Sequence, residues 1–446
     1  MADMTIESIS ARAFMDEAEA VQALLVQVEK LSSLEVPIMK RATAWTQAIR
    51  ERGIGHGVEA FLHAYGLGTG EGVALMCLAE ALLRIPDTAT ADALIRDTLE
   101  GRDWSHYAGD SWLVHLSGWG LLLAGEVIDA GEEAQRGMLK TLRSMAARLG
   151  EPVVREALKK AMQLIGRQFV LAETMEGALR HAEPYMEQGY RFSFDILGEG
   201  ARSDAEAKAY MEAYRDGIAR IAKTVPKKAP LFEAPGISVK LSALHPRYQL
   251  TQQGRVMNEL LPRLKEIVAL CIQAGITVAI DAEEASRLDI EMLLFEALLE
   301  EKQFSGFSGI GFVVQAYQKR ATYLIDWLAG LAKKHKRIIP VRLVKGAYWD
   351  SEIKWAQTAG LPSYPVFTRK EYTDVSYLAC AGKLLDARDA FYPQFATHNA
   401  RTAADVLAMA EKSGWKKGTY EFQRLHGMGE ALHGMLFRDA PSRIYA

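Results

Sequence analysis

Residues 338–349 read Ile-Ile-Pro-Val-Arg-Leu-Val-Lys-Gly-Ala-Tyr-Trp, an apolar run of strand length that carries two cations, Arg342 and Lys345. The run is followed by Gly346, a residue type that allows the backbone close to a bulky neighbour. Two cations in a buried strand require an anion, which is either a bound anionic ligand or surface carboxylates at a fraying strand end. The rest of the chain decides between these interpretations.

Bulk composition favours a folded protein with a large core. Of the 446 residues 49% are hydrophobic, and the formal net charge of −3 gives no sign of a polyanion-binding protein. The cysteines Cys77, Cys271 and Cys380 lie far apart among apolar residues, which is typical of reduced core thiols in a cytoplasmic protein. The N-terminus has no signal-peptide pattern, and the apolar stretch 112–125 is too short to span a membrane.

The spacing of apolar residues along the sequence changes near residue 180. Before this point apolar residues recur at helical spacing, for example over 73–85, whereas from about residue 188 short apolar strands alternate with amphipathic helices. We therefore expect a helical arm and α-domain over 1–180 and a strand-and-helix domain over 181–446.

The sequence contains eight candidate strands. The distance between successive strand starts is about the length of one strand, one crossover helix and two loops. They begin near Arg191, Gly236, Thr277, Ile310, Ile338, Tyr364, Phe391 and Tyr420. Eight such units predict an α/β fold, a TIM-like (β/α)8 barrel. A doubly wound open sheet is the alternative, although no glycine-rich phosphate fingerprint follows the first strand.

Active sites of such barrels lie at the carboxyl ends of the strands, so the polar residues there are expected to converge. These residues are Asp195, Glu199, Lys240, Asp281, Glu283, Gln315, Arg342, Lys345, Thr368, Arg369, Lys370, Thr397, His398, Asn399, Gln423, Arg424 and His426. Cations and amides suit a flavin dinucleotide, but also a sugar phosphate held by a Schiff-base aldolase with Lys240 or Lys345 as nucleophile. No second His or Cys stands at ligand spacing from His398 or His426, so no metal is expected.

Seven motifs, in this order along the chain, resemble the proline dehydrogenase domain of the bacterial bifunctional enzyme proline utilization A (PutA). They occupy 192–199, 237–248, 280–284, 341–350, 364–370, 394–399 and 421–428. The helical part, around 71–87, is similar to the arm and α-domain of that family. The resemblance implies FAD-dependent oxidation of L-proline to Δ1-pyrroline-5-carboxylate, with hydride passing to flavin N5 and electrons leaving to a membrane quinone.

The resemblance also implies roles for individual residues. Lys240 would contact the substrate carboxylate, Asp281 would hold the cationic groups in place, and Arg342 would bond near flavin N5. Leu343, Tyr348 and Tyr445 would pack around the proline ring. Residues implied to line the FAD are Gln315, Val344, Lys345, Gly346, Ala347, Trp349, Thr368, Arg369, Lys370, Thr397, His398, Asn399, Gln423 and Arg424.

The chain departs from the family pattern in two places. The family continues into a last helix whose adjacent arginines grip the proline carboxylate, and this chain has no Arg-Arg pair. We therefore expect either a fragment or a protein that binds proline weakly. The binding free energy should be less favourable by about 2 to 5 kcal/mol than in a chain that has the arginine pair. An FAD-binding but catalytically impaired module is the corresponding alternative.

The resemblance also bears on partners and location. The aldehyde dehydrogenase half and the DNA-binding ribbon-helix-helix segment of the family are missing from the sequence, so nucleic acid is not expected. The implied location is cytoplasmic or peripheral to the inner membrane, and a homo-oligomer is left open.

Overall fold

The structure, a computed structural model, describes residues 4–51, 85, 87–100, 170–226 and 228–446. The chain divides into two compact units, one formed by Met1–Ile49 with Ala172–Ala446 and the other by Arg50–Leu171. The helix expected over 73–85 and the apolar stretch 112–125 lie outside the described residues, except for Ile85.

Parallel β-strands form a closed barrel in which each strand pairs with the next and the last pairs with the first. The strands are β1 Arg191–Asp195, β2 Gly236–Val239, β3 Thr277–Ile280, β4 Ile310–Gln315, β5 Ile339–Val344, β6 Phe391–Ala396, β7 Glu421–Leu425 and β8 Ser442–Tyr445. The prediction of a (β/α)8 barrel is confirmed.

Helices surround the barrel and precede it. They are α1 Ile6–Ser10, α2 Glu17–Val28, α3 Glu35–Glu51, α4 Thr88–Glu100, α5 Met175–Glu187, α6 Asp204–Ala222, α7 Leu241–Leu244, α8 Gln253–Arg255, α9 Leu261–Ala274, α10 Leu288–Glu300, α11 Ala321–His335, α12 Trp349–Thr358, α13 Lys370–Asp386, α14 Ala400–Lys412 and α15 Glu430–Leu436. A π-helical turn, Val256–Leu260, joins α8 to α9. No helix among these described residues is long and apolar enough to cross a membrane.

The strand prediction is wrong at one position. The segment that begins at Tyr364 forms no barrel strand, and only Val366 makes an isolated antiparallel bridge, to Gln318. The segment instead connects α12 to α13 within the connection between β5 and β6. The eighth strand is instead β8, a run of only four residues that the sequence analysis did not identify.

The first helices form an arm, residues 4–49, that packs on the outside of the barrel. Ala20 and Leu24 of α2 share a hydrophobic cluster with Phe367 and Ala379, and Ile38 and Ala42 of α3 pack against α14. Ion pairs also join the arm to the barrel helices, for example Arg41 of α3 with Glu411 of α14 at 3.0 Å. The arm therefore buries two apolar clusters, one against Phe367 and α13 and the other against α14.

A buried ion pair inside the barrel joins β7 to β8. Glu421 is completely buried and its carboxylate accepts hydrogen bonds from Arg443 Nε at 2.6 Å and from Arg191 at 3.2 Å. Arg443 also donates to the carbonyl oxygens of Phe192, Phe232 and Ala234. Burial raises the pKa of the Glu421 carboxyl, but the two guanidinium groups outweigh this effect and lower it.

We expect Glu421→Gln to lower the free energy of unfolding by about 3 to 5 kcal/mol, because two buried guanidinium groups lose their counter-charge. Urea unfolding followed by circular dichroism measures the change. Glu411→Gln, which removes a half-exposed carboxylate from the pair with Arg41, is the matched control and should change the free energy by less than about 1 kcal/mol. Equal losses in the two variants would contradict the argument.

Candidate active site

A cavity of about 650 Å³ opens at the carboxyl ends of the barrel strands. This volume is in the range of cofactor and small-molecule sites in proteins. Its lining residues are Asp195, Lys240, Asp281, Ala282, Val313, Gln315, Arg342, Val344, Lys345, Gly346, Ala347, Tyr348, Lys370, Ala396, Thr397, His398, Asn399, Gln423, Arg424, Leu425 and Tyr445. Alternation along each strand turns every second side chain inward, which explains why residues from so many strands meet here.

Lys240 lies between two carboxylates at one wall of the cavity. Its Nζ donates to Asp195 Oδ2 at 2.8 Å and to Asp281 Oδ2 at 3.2 Å. The hydroxyl of Tyr445 lies 2.7 Å from each of the same two carboxylate oxygens. Burial lowers the pKa of Lys240, but the charges of Asp281 and Asp195 raise it above its usual value. The lysine is therefore held as an ammonium at neutral pH.

Asp195 carries an acceptor that no other protein group uses. Its Oδ1 is buried and has no hydrogen-bond partner. Burial, followed by the nearby charge of Asp281, raises the pKa of the Asp195 carboxyl above its usual value. A carboxyl in this environment is suited to hold a proton.

Arg342 occupies the centre of the barrel interior. It donates to Asp281 Oδ1 at 2.7 Å, to Gln423 Oε1 at 2.7 Å and to the hydroxyls of Ser193 and Ser238 at 3.1 Å. Its guanidinium lies 4.7 Å from the centre of the Tyr445 ring. The arginine is therefore fixed by neighbours on several strands.

The cavity carries more positive than negative charge. Its lining includes the cations Lys240, Arg342, Lys345, Lys370 and Arg424, against the two carboxylates Asp195 and Asp281. Lys345 pairs with Asp374 on α13. Arg424 is buried and its Nε has no partner. The excess of cations favours an anionic ligand.

Two further features shape the cavity wall. Gly346 has φ of 140°, a conformation that favours glycine, and a Cβ there would lie 2.4 Å from the ring of Tyr317. His398 Nε2 accepts a hydrogen bond from the backbone N–H of Leu425 at 3.0 Å, so its proton is carried by Nδ1.

Four residues implied by the resemblance lie away from the lining. Leu343 is completely buried on the other side of β5, and Trp349 donates its indole N–H to the carbonyl of Phe367 at 2.8 Å. Thr368 and Arg369 precede α13 without lining the cavity. The sixteen other residues that were assigned a role all line it.

Several lining residues carry no role predicted from the sequence. Asp195 was recognised as a polar strand end, and its contact with Lys240 was hidden because their strands are 45 residues apart in the chain. Ala282, Val313, Ala396 and Leu425 are apolar and carry no chemical signal in the sequence. Among the described residues no cluster of His, Cys, Asp or Glu is arranged to hold a metal ion.

His433 supports the wall of the cavity from behind. Its Nε2 lies 2.9 Å from the carbonyl oxygen of Thr397, and its Nδ1 lies 2.8 Å from Ser442 Oγ. A carbonyl can only accept, so Nε2 carries the proton and Nδ1 accepts from Ser442. Burial lowers the pKa of His433 to about 4.

The fold and the cavity define a (β/α)8-barrel enzyme whose site suits an anionic cofactor. A family profile described as proline dehydrogenase matches residues 178–446, well over half of the chain. The chain belongs to the proline dehydrogenase family, which is flavin-dependent.

Curated relatives and solved structures agree with this assignment. The chain is 47% identical over 445 residues to the bifunctional protein PutA of Klebsiella aerogenes, and 44% identical over 436 residues to that of Rhizobium meliloti. Each alignment covers 96% of this chain, which spans about a third of the relative's length (34% and 35%). The crystal structure of a mutant of proline utilization A (PutA) from Bradyrhizobium japonicum superposes with a TM-score of 0.71 at 45% identity, covering 97% of this chain and 43% of the other.

One expectation from the sequence needs correction. A second family profile, described as the DNA-binding domain of proline dehydrogenase, matches residues 57–169. The match removes the basis for excluding nucleic acid, which had relied on the low net charge and on the lack of a ribbon-helix-helix segment. Most of these residues lie outside the described part of the chain.

We expect the contribution of neutral His433 to the stability of the protein to be lost as the pH drops from about 6.5 towards 4. The unfolded chain protonates His433 near its usual pKa of 6.5, whereas the folded protein resists protonation until about pH 4. The two pKa values differ by about 2.5 units, equivalent to about 3 kcal/mol. Urea unfolding at pH 7 and pH 4.5 should show a smaller loss for His433→Gln than for the wild type. An equal loss in both proteins would contradict the assignment.

Proposed function

We propose that this chain catalyses FAD-dependent oxidation of L-proline to Δ1-pyrroline-5-carboxylate, the first step of proline catabolism. The observation that carries the proposal is the cation-rich cavity at the carboxyl end of a barrel that belongs to the proline dehydrogenase family. The proposal extends to this chain a reaction that the family resemblance implies.

The residues of the cavity fit FAD. Lys345, Lys370 and Arg424 supply positive charge for the phosphates, and the buried Nε of Arg424 has no protein partner that a ligand would have to displace. Gln315, Asn399 and Gln423 supply amides, and Gly346 and Ala347 line the cavity directly after β5. When bound, FAD supplies the hydride acceptor, and the protein supplies position and electrostatics.

The second half of the cavity suits a small amino acid. The Lys240 ammonium is fixed in place to attract a carboxylate, and Tyr445 and Tyr348 provide aromatic surface for an apolar ring. Proline must lose its ammonium proton before its nitrogen lone pair can assist removal of a hydride from the neighbouring carbon. Asp195 Oδ1 is the group in the cavity best suited to receive that proton, because it is free of partners and its pKa is raised by burial.

The Schiff-base alternative is less well supported by the geometry. An amine nucleophile must be unprotonated, and such lysines have a lowered pKa. The pKa of Lys240 is raised by its two carboxylate neighbours, and Lys345 is paired with Asp374. Lys240 is therefore held as a cation, and the Lys345 ammonium is engaged by a carboxylate.

The partners and the location follow from the same proposal. We infer L-proline as substrate, a membrane quinone as electron acceptor, and an aldehyde dehydrogenase domain in the same polypeptide of the family. The proposed location is the cytoplasm, with peripheral contact to the inner membrane through the quinone. A catalytically impaired, FAD-binding module remains the alternative, because no arginine pair is present in the chain.

Duplex DNA is a second candidate ligand on the strength of the match over 57–169. Anisotropy of labelled duplex DNA, titrated with the chain at low and at physiological salt, tests it. Binding that weakens steeply with salt would support a phosphate-backbone contact. A flat signal up to micromolar protein at both salt concentrations would reject it.

We expect the purified chain to bind FAD, and the visible flavin band to bleach on anaerobic addition of L-proline. Lys240→Met should keep the flavin spectrum but raise the proline concentration needed for half bleaching by roughly 30-fold or more, because the substrate carboxylate loses a buried cation. Lys383→Met, which breaks a pair with Asp326 outside the cavity, is the control and should behave as the wild type.

Each outcome of this titration has a defined meaning. A wild-type band that stays coloured with proline would favour the impaired module. Equal titrations of Lys240→Met and the wild type would contradict the role given to Lys240, and a chain that fails to bind added FAD would contradict the cofactor.

A further inference from the structure

A carboxylate of the arm reaches the edge of the cavity. Glu17, in the first turn of α2, accepts a hydrogen bond from the backbone N–H of Thr368 at 2.7 Å. The Thr368 hydroxyl lies 2.9 Å and 3.1 Å from the two oxygens of the same carboxylate. Both donors of Thr368 are therefore directed at the arm, and neither lines the cavity.

Thr368 belongs to a connecting segment, residues 365–370, that the barrel holds from other directions. The carbonyl of Phe367 accepts from Trp349 at 2.8 Å, and its N–H donates to the carbonyl of Tyr317 at 2.8 Å. The N–H of Lys319 donates to the carbonyl of Pro365 at 3.3 Å. Glu17 provides the tether immediately before the helix, on the side of the segment that faces the arm.

The segment ends in two cations beside the cavity. Arg369 is the residue before α13, and Lys370, its first residue, lines the cavity. Both side chains are exposed, so their own contacts do little to fix them. Their position depends on the backbone of Thr368, and that backbone is fixed by Glu17.

We propose that Glu17 is a positioning residue for the cofactor: by holding Thr368 it places Lys370, two residues further on, where it meets the phosphates of FAD. The inference rests on the proposed function, since it takes FAD as the ligand. The seating of the arm on α13 thereby sets the affinity of the cavity for its cofactor, and Glu17 acts without touching the ligand.

The chemistry of Glu17 separates two ways in which it could act. A negative charge beside a phosphate site opposes binding of an anion, so the benefit must come from the hydrogen bonds alone. Gln in place of Glu17 keeps an oxygen for the Thr368 N–H and gains an N–H for the hydroxyl, whereas Ala keeps neither. A Gln variant should therefore retain the positioning.

The test measures the dissociation constant of FAD for the full chain by the fluorescence change when apoprotein is titrated into FAD. We expect Glu17→Ala to weaken FAD binding by about tenfold, which corresponds to the loss of one or two hydrogen bonds. Glu17→Gln should stay within about twofold of the wild type. Glu411→Gln is the matched control, because Glu411 also joins arm and barrel but lies at the end of α14 remote from the cavity.

A second variant protects the test against misfolding. If Glu17→Ala does not accumulate as folded protein, Glu17→Asp replaces it, because the side chain is one methylene shorter and cannot reach both donors. An affinity for FAD equal to or tighter than that of the wild type in the Ala or Asp variant would overturn the proposal. So would a Gln variant as weak as the Ala variant, because charge would then be the cause. A wild-type chain that binds no FAD would instead refute the proposed function, and this inference with it.

Discussion

The hydrogen bonds of Glu421 hold together the barrel and, through Gln423, the site. Its carboxylate is completely buried and accepts from Arg443, Arg191, Tyr392, Gln394 and Gln423. A buried charge is tolerated only when its partners are complete, because an unpaired carboxylate in a low dielectric is far less stable than in water. The closed barrel supplies those partners from four strands at once.

The carboxylate of Glu421 also determines the orientation of the Gln423 side chain. Gln423 donates its amide N–H to Glu421 at 2.8 Å, which leaves its carbonyl oxygen to face Arg342 Nε at 2.7 Å. Arg342 in turn donates to Asp281, and Asp281 accepts from Lys240. A chain of hydrogen bonds therefore connects Glu421, through Gln423, Arg342 and Asp281, to Lys240 at the cavity. In such a chain each group fixes the geometry of the next.

The regular spacing of the candidate strands and the polar residues at their ends were sufficient to predict the barrel and the location of the cavity. The error at residues 364–368 has a physical reason: aromatic and β-branched residues there favour extended backbone, and only tertiary context shows that the segment pairs with no barrel strand. The strand β8 was missed because four residues carry too little periodicity, although Arg443 and Tyr445 alternate with the apolar Ile444 as an inward face requires. Contacts between distant strands, such as that of Lys240 with Asp195, have no local signature in one sequence.

The long connection between β5 and β6 explains why the arm matters to this barrel. It contains two helices, α12 and α13, where most other strands are joined by a single long helix, and the segment between them leads to Lys370 at the cavity. Such a segment has no ladder of its own and must satisfy its backbone groups elsewhere. Tyr317, Trp349 and Glu17 do this from three directions, two within the barrel and one in the arm. The extra element that supplies the cavity with Lys370 is therefore also the one that makes the cavity depend on the N-terminal helices.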